Sequence, residues 1–199
     1  MKIKLIFLTV ILLITGLYSG CKKGDEDPLF SILSRKARVC GNWKVTEGRV
    51  SYGTPDIIEI DDYSEFGHIA INLILQGSIT GSYCWTFEIN KDGSYEIFKS
   101  ISLPYNSSYV LKEQGFWYFL TKNKKTDKKS KECIVFQPTL VTFDLATYEY
   151  QASSPTVYDI IQLKNKKMKL EGNRNYKKTD GTSITEEVIN ESIVLTPED

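Results

Sequence analysis

The chain has 199 residues, with 25 basic and 25 acidic side chains, one histidine and four cysteines. That balance lacks the basic face nucleic acid requires, and a single histidine rules out a histidine-rich metal site. Twelve tyrosines, nine phenylalanines and three tryptophans favour sheet over helix.

Lys2 and Lys4 precede an apolar run, Leu5 to Ile14, interrupted only by Thr9. These are the parts of a signal peptide, and the run is too short to span a bilayer. Ser19-Gly20-Cys21 then resembles the lipobox of bacterial lipoproteins, where cleavage precedes acylation of the thiol. Tyr18 departs from it, standing where that motif prefers an aliphatic residue. The resemblance implies a lipoprotein signal peptide over 1–20 and palmitate-type acylation of Cys21, with the membrane as partner. An ordinary secretory signal is the alternative. Residues 21–37 then form the lipidated cysteine and a flexible tether with a short helix. Lys22 to Pro28 is wholly polar and cannot bury itself. Its acidic cluster, Asp25-Glu26-Asp27, resembles the surface-export tag of Bacteroidota lipoproteins, which implies a lipid-anchored, outward-facing place on the outer membrane. Asp27 caps the helical candidate, Pro28 suits its first position, and Leu29, Ile32 and Leu33 share a face. Removing 1–20 takes Lys2 and Lys4 and no acid, leaving 23 basic and 25 acidic residues.

After Gly41 the pattern has period two. Ile69, Ile71, Leu73 and Leu75 alternate with Ala70 and Asn72. Thr80 to Asn90 sets Tyr83, Trp85, Phe87 and Ile89 on one side, with Ser82, Cys84, Thr86 and Glu88 on the other. Asp92-Gly93 supplies a turn into Ser94 to Ile101. Further strands are Gly115 to Thr121, Glu132 to Gln137 and Leu140 to Tyr150. A hairpin over Thr156 to Lys164 and Lys167 to Glu171 follows, then Thr182 to Thr196. About eight to ten strands with tight turns predict an all-β antiparallel barrel or sandwich.

Gly41-Asn42-Trp43 opening the first strand resembles the G-x-W signature of lipocalins. Trp85-Thr86-Phe87 leading to Asp92-Gly93-Ser94-Tyr95, then Gly115-Phe116-Trp117 and the Ile160 to Leu170 hairpin, are similar to bacterial lipocalin-like lipoproteins. The resemblance implies an up-and-down β-barrel over 38–199, with Trp43 packing across its closed end. Arg174 stands where that family covers the tryptophan with an arginine, while a solvated loop arginine is the alternative. There is no T-D-Y block; Tyr158-Asp159 is a faint echo.

The search for catalysis finds no G-x-S-x-G elbow and no CxxC pair. His68 falls opposite Ile69 and Ile71, which predicts a side chain outside the barrel. Asp56, Glu59, Asp61, Asp62 and Glu65 read as loop carboxylates. With Cys21 acylated, Cys40, Cys84 and Cys133 leave at least one thiol unpaired, and parity puts all three off the lumen. The expected function is therefore non-catalytic, with no metal and no cofactor: a membrane-anchored barrel binding a small apolar ligand. Trp43, Tyr83, Trp85, Phe87, Ile89, Trp117 and Phe119 would line it. The alternative is a surface interaction module whose barrel is filled by those side chains and whose loops contact a protein or glycan. Lys124, Lys125, Lys128 and Lys129 would carry that contact, with a second cluster at Lys164, Lys166, Lys167 and Lys169; a solvated hairpin tip is the plainer account of such lysines.

The anchor is tested by Cys21→Ser. Each buried acyl methylene contributes about 0.8 kcal/mol to membrane binding, so the variant should leave the membrane fraction and incorporate no labelled fatty acid. Equal membrane retention would contradict acylation.

Overall fold

The computed structural model describes residues 33–53, 59–72, 76–104, 108–121, 132–143, 146–148, 155–180 and 183–198. Cys21, the helical candidate at 27–32 and the lysines of 122–131 lie outside them. One helix, α1 (Arg35–Val39), is followed by eleven strands: β1 (Gly41–Gly53), β2 (Glu59–Ser64), β3 (Gly67–Asn72), β4 (Gly77–Ile89), β5 (Ser94–Ser102), β6 (Ser108–Phe119), β7 (Cys133–Phe143), β8 (Ala146–Tyr148), β9 (Thr156–Lys164), β10 (Lys167–Asp180) and β11 (Ser183–Pro197). Among the described residues the helix has five residues and is capped by the Ser34 hydroxyl, which accepts from the Ala37 amide at 3.1 Å.

Every pairing is antiparallel, and ten strands close one sheet into a ring, with β8 on the margin of β7. The ring has two widths. At the end where β1 starts, the base, Gly41–Lys44 pairs directly with Thr86–Ile89 of β4. Farther up, β1 from Gly48 leaves β4 and pairs with β2, so the β2–β3 hairpin is inserted between them. The change of partner coincides with a bulge between Val45 and Glu47 against β11, where the extra residue bends the strand. The base is therefore narrow and the upper end broad.

Three local devices shape the barrel, the first two at its base. Asp92 accepts from the Ser94 amide at 2.9 Å and its hydroxyl at 2.7 Å, while Gly93 takes φ +99, a turn conformation that suits glycine. Trp117 Nε1 donates to the Asn90 carbonyl at 2.8 Å, tying β6 to that turn. Gly172 leaves room for the ring of Tyr158, whose Cδ1 would lie 2.6 Å from an added Cβ.

α1 plugs the base. Val39 is fully buried, Trp43 is 2 % exposed, and the indole Nε1 donates to the Val39 carbonyl at 2.9 Å. Arg38 donates through Nη1 to the Leu163 carbonyl at the β9–β10 turn. Leu163, Met168, Leu170, Ile193 and Leu195 complete the apolar floor, all fully buried. Sequence alternation places Tyr83, Trp85, Phe87 and Ile89 on one face, and they do turn inward together. Two differences stand out. Glu59–Ser64, read as loop carboxylates, is strand β2, because pairing with both β1 and β3 outweighs the poor strand propensity of its acids. Glu132–Gln137 and Leu140 onward are one strand, β7, with a bulge against Gln114/Gly115.

Trp43→Ala should destabilise the domain by about 3–5 kcal/mol, the cost of emptying a buried indole site. Chemical denaturation measures it; a loss below about 1 kcal/mol would contradict a load on this plug.

Candidate ligand site in the barrel

The residues expected to line a lumen divide by height. Trp43, Phe87, Ile89 and Trp117 are at most 5 % exposed. These side chains pack on one another in the core. Phe87 and Phe136 meet edge-on at 5.9 Å between centroids, Phe136 meets Tyr95 at 4.9 Å and Tyr158 at 5.9 Å. Such edge-on pairs are favourable geometry for aromatic cores. Trp85 is 4 % exposed and lies higher, while Tyr83 and Phe119 are half-buried. The side chain of Arg174 lies outside the described residues; its backbone faces Ile189 in the β10–β11 ladder. An open recess of about 460 Å³ lies at the base beside Cys40, Gly41 and the Ile89–Asp92 turn, remote from the groups described next.

Five ionisable side chains are buried inside the barrel, and three of them, Asp61, His68 and Lys99, come together above the floor. Asp61 from β2, His68 from β3, Lys99 from β5, Glu113 from β6 and Glu191 from β11 are all less than 9 % exposed. His68 was expected outside the barrel and is inside it, 2 % exposed, while Ile69 is 40 % exposed. The β2–β3 hairpin explains the reversal: Tyr63 pairs with His68 and Ser64 with Gly67, so the inward parity of Asp61 and Tyr63 passes to His68. Expecting both isoleucines inside inverted that strand.

His68 Nε2 stands 3.0 Å from Asp61 Oδ1. Asp61 Oδ2 accepts from the Tyr52 hydroxyl at 3.1 Å and the Tyr63 hydroxyl at 3.3 Å. Burial pushes the Asp61 carboxyl up, yet His68, Lys99 and Tyr52 together outweigh it and hold it below its ordinary value. Burial, then the Asp61 charge, drives the Tyr52 and Tyr63 phenols far above theirs, so both stay neutral donors. The other two acids have tyrosine partners as well: Tyr95 donates to Glu113 Oε1 at 2.6 Å, and Tyr158 donates to Glu191 Oε2. Lys99 Nζ lies 4.1 Å from the Trp85 ring centre and 4.7 Å from that of Tyr63, a cation–π arrangement worth most in a desolvated site. Tyr63 is the hub, 4.9 Å from His68, 5.0 Å from Tyr83 and 5.2 Å from Trp85 between centroids.

Among the described residues of this site, His68 Nδ1 and the indole Nε1 of Trp85 have no hydrogen-bond partner, while His68 Nε2 is in contact with Asp61. Leaving a buried donor unmade costs about 1–3 kcal/mol, so their pairing with an incoming acceptor would be favourable. The sequence carried a signal for this cluster that was not used. Lys99 shares parity with Tyr95, Ile97 and Ile101, and Glu191 with Ile189, Ile193 and Leu195, so each charge sits in an apolar register.

The thiols stand apart. Among the described residues, Cys40, Cys84 and Cys133 form no disulfide. Cys133 is buried away from the lumen and its Sγ donates to Asp159 Oδ1 at 3.0 Å. Among the described residues no three of His, Cys, Asp and Glu gather as metal ligands, and no helix is long and apolar enough to cross a membrane. Compared with known proteins, no family model matches the chain and no curated protein matches it.

Asp61→Asn should destabilise the domain at pH 7 by about 2 kcal/mol or more, since charged hydrogen bonds contribute ~1.5–3 kcal/mol each. Folding lowers the Asp61 pKa, so its contribution is full above the unfolded value near ~3.9 and is lost as pH falls through the lower folded one. Denaturation curves of wild type and variant should converge as pH drops below about 4; an undiminished gap in strong acid would contradict the assignment.

Proposed function

We propose that this protein is a lipid-anchored, non-catalytic binding protein of lipocalin-like architecture, displayed on the outer membrane, that holds a small amphiphile in the upper barrel. The G-x-W opening of β1, the indole over a plugged base and the successive antiparallel pairings support the architectural part. The observation that carries the ligand part is the group Asp61, His68 and Lys99, buried together above an apolar floor, with Glu113 and Glu191 also buried inside the barrel. Burying five ionisable groups is costly, and hydrophobic replacements of buried ion pairs are often neutral or stabilising. Buried charges gathered in one lumen mark a candidate binding site. The packed floor revises the expected ligand. The floor at Phe87 and Phe136 is filled by side chains, and a polar head that accepts hydrogen bonds would suit Trp85 Nε1 and His68, with Lys99 as its counter-charge.

A second reading has its own observation. Tyr63, His68, Trp85 and Lys99 are only 2–6 % exposed, close to the burial of the floor; with such packing continued to the mouth, the barrel is a rigid support, and contacts with a protein or glycan lie on the outer surface.

The two separate in a titration of Trp85 emission with probes of one chain length and different heads. A carboxylate or carbonyl head should bind saturably, and the matched alkane should not. Lys99→Met should weaken the carboxylate probe by about 10-fold or more, the size of one desolvated charge interaction. Neutralising Lys124, Lys125, Lys128 and Lys129 should leave it unchanged. Silence with every probe would leave the surface module as the account.

A further inference from the structure

The strand ladder brings the chain's entry point and its lysines to one end. α1 sits under the base, with Lys36 Nζ 5.8 Å from the Trp117 ring centre and Arg38 on the Leu163 carbonyl. The β4–β5 turn presents Lys91, and the β9–β10 turn presents Lys164, Lys166 and Lys167, all exposed. The ends of β6 and β7 that flank the lysine-rich segment reach the same end, where the Leu120 amide donates to the Cys133 carbonyl at 3.0 Å. Asp92, Glu132 and Glu198 are acids of this end, and Asp92 is engaged with Ser94.

The outer wall beside this basic end is apolar. Phe116, Tyr118 and Leu120 alternate along the outward face of β6 at 60 %, 47 % and 36 % exposure, descending to the base. A cationic rim continuous with exposed aromatic and aliphatic groups is the composition that settles at a membrane interface, the aromatics at headgroup depth and the lysines on phosphates.

We infer that the base of the barrel, with the lower outer face of β6, docks on the anionic phospholipid surface of the membrane that carries the anchor. The inference rests on acylation of Cys21 only for what keeps the base close. The chain from Cys21 to Leu33 spans at most ~3.3–3.6 Å per residue, which confines the base to within roughly 40 Å of the bilayer. Docked this way, the barrel turns its broad upper end, and the buried charges below it, away from the membrane and towards solvent.

The test uses the mature chain from residue 21 carrying Cys21→Ser, so that no acyl group contributes, and vesicles of phosphatidylcholine with or without phosphatidylglycerol. The chain should sediment with the anionic vesicles alone. Binding should weaken as salt shortens the Debye length from about 10 Å at 0.1 M to ~3 Å at 1 M. Changing Lys164, Lys166 and Lys167 together to Glu should lower partitioning by on the order of 10²-fold or more. Tyr118→Ser with Leu120→Ser should lower it too, with little effect on the salt dependence. These side chains are exposed, so thermal melts should be unchanged. Equal binding to neutral vesicles, indifference to the lysine changes, or preference for an acidic polysaccharide over the anionic vesicles would each overturn the inference. Cellular retention of wild type against Cys21→Ser reads the anchor separately.

Discussion

Four residues decide the shape of this molecule. Gly41 to Lys44 are the part of β1 that hydrogen-bonds β4 directly, and without that pairing the sheet has no narrow end. Trp43 sits in the middle of this seam, fully committed to the core and tied to α1 through Val39. Because the hairpin β2–β3 enters the ring immediately above, the seam also fixes where the barrel widens. Large apolar side chains fill the narrow part, and the wide part leaves positions where longer polar side chains reach inward.

That division gives the buried charges their physical sense. A carboxylate in an apolar interior is costly unless hydrogen bonds and opposite charge surround it. Asp61 has two phenols, an imidazole and the Lys99 charge around it, and Glu113 and Glu191 have a tyrosine each. Lys99 spreads its alkyl stem and charge over two aromatic faces. The tyrosines serve twice, as donors to acids and as links in a ring network from His68 to Tyr158. What remains unmatched, His68 Nδ1 and Trp85 Nε1, is small beside this network and is the part of the interior with bonding capacity left for another molecule.

The fold was largely legible because period-two alternation is strong wherever one face is apolar: β4, β5 and the lower part of β6 follow it residue by residue. It failed where charge occupied inward positions. β2 carries Glu59, Asp61 and Asp62 in six residues, so neither propensity nor hydrophobic pattern identifies a strand, and its place comes from long-range pairing alone. His68 was misplaced for a related reason, since the isoleucines of β3 face outward and the histidine inward. The candidate site was legible only in fragments. Its aromatics were visible in sequence, but its charges come from five strands separated by up to 130 positions between Asp61 and Glu191, and no local pattern joins them.

The central claim is that bonding capacity in this barrel lies in the upper lumen, above a filled floor. Amide shift mapping with an isotope-labelled chain and a short-chain carboxylate amphiphile tests it most directly. The account predicts shifts concentrated at Tyr63, His68, Tyr83, Lys99 and Glu113, with Trp43, Met168 and Leu195 unmoved. Shifts centred on the floor residues, or confined to outward-facing positions, would contradict it.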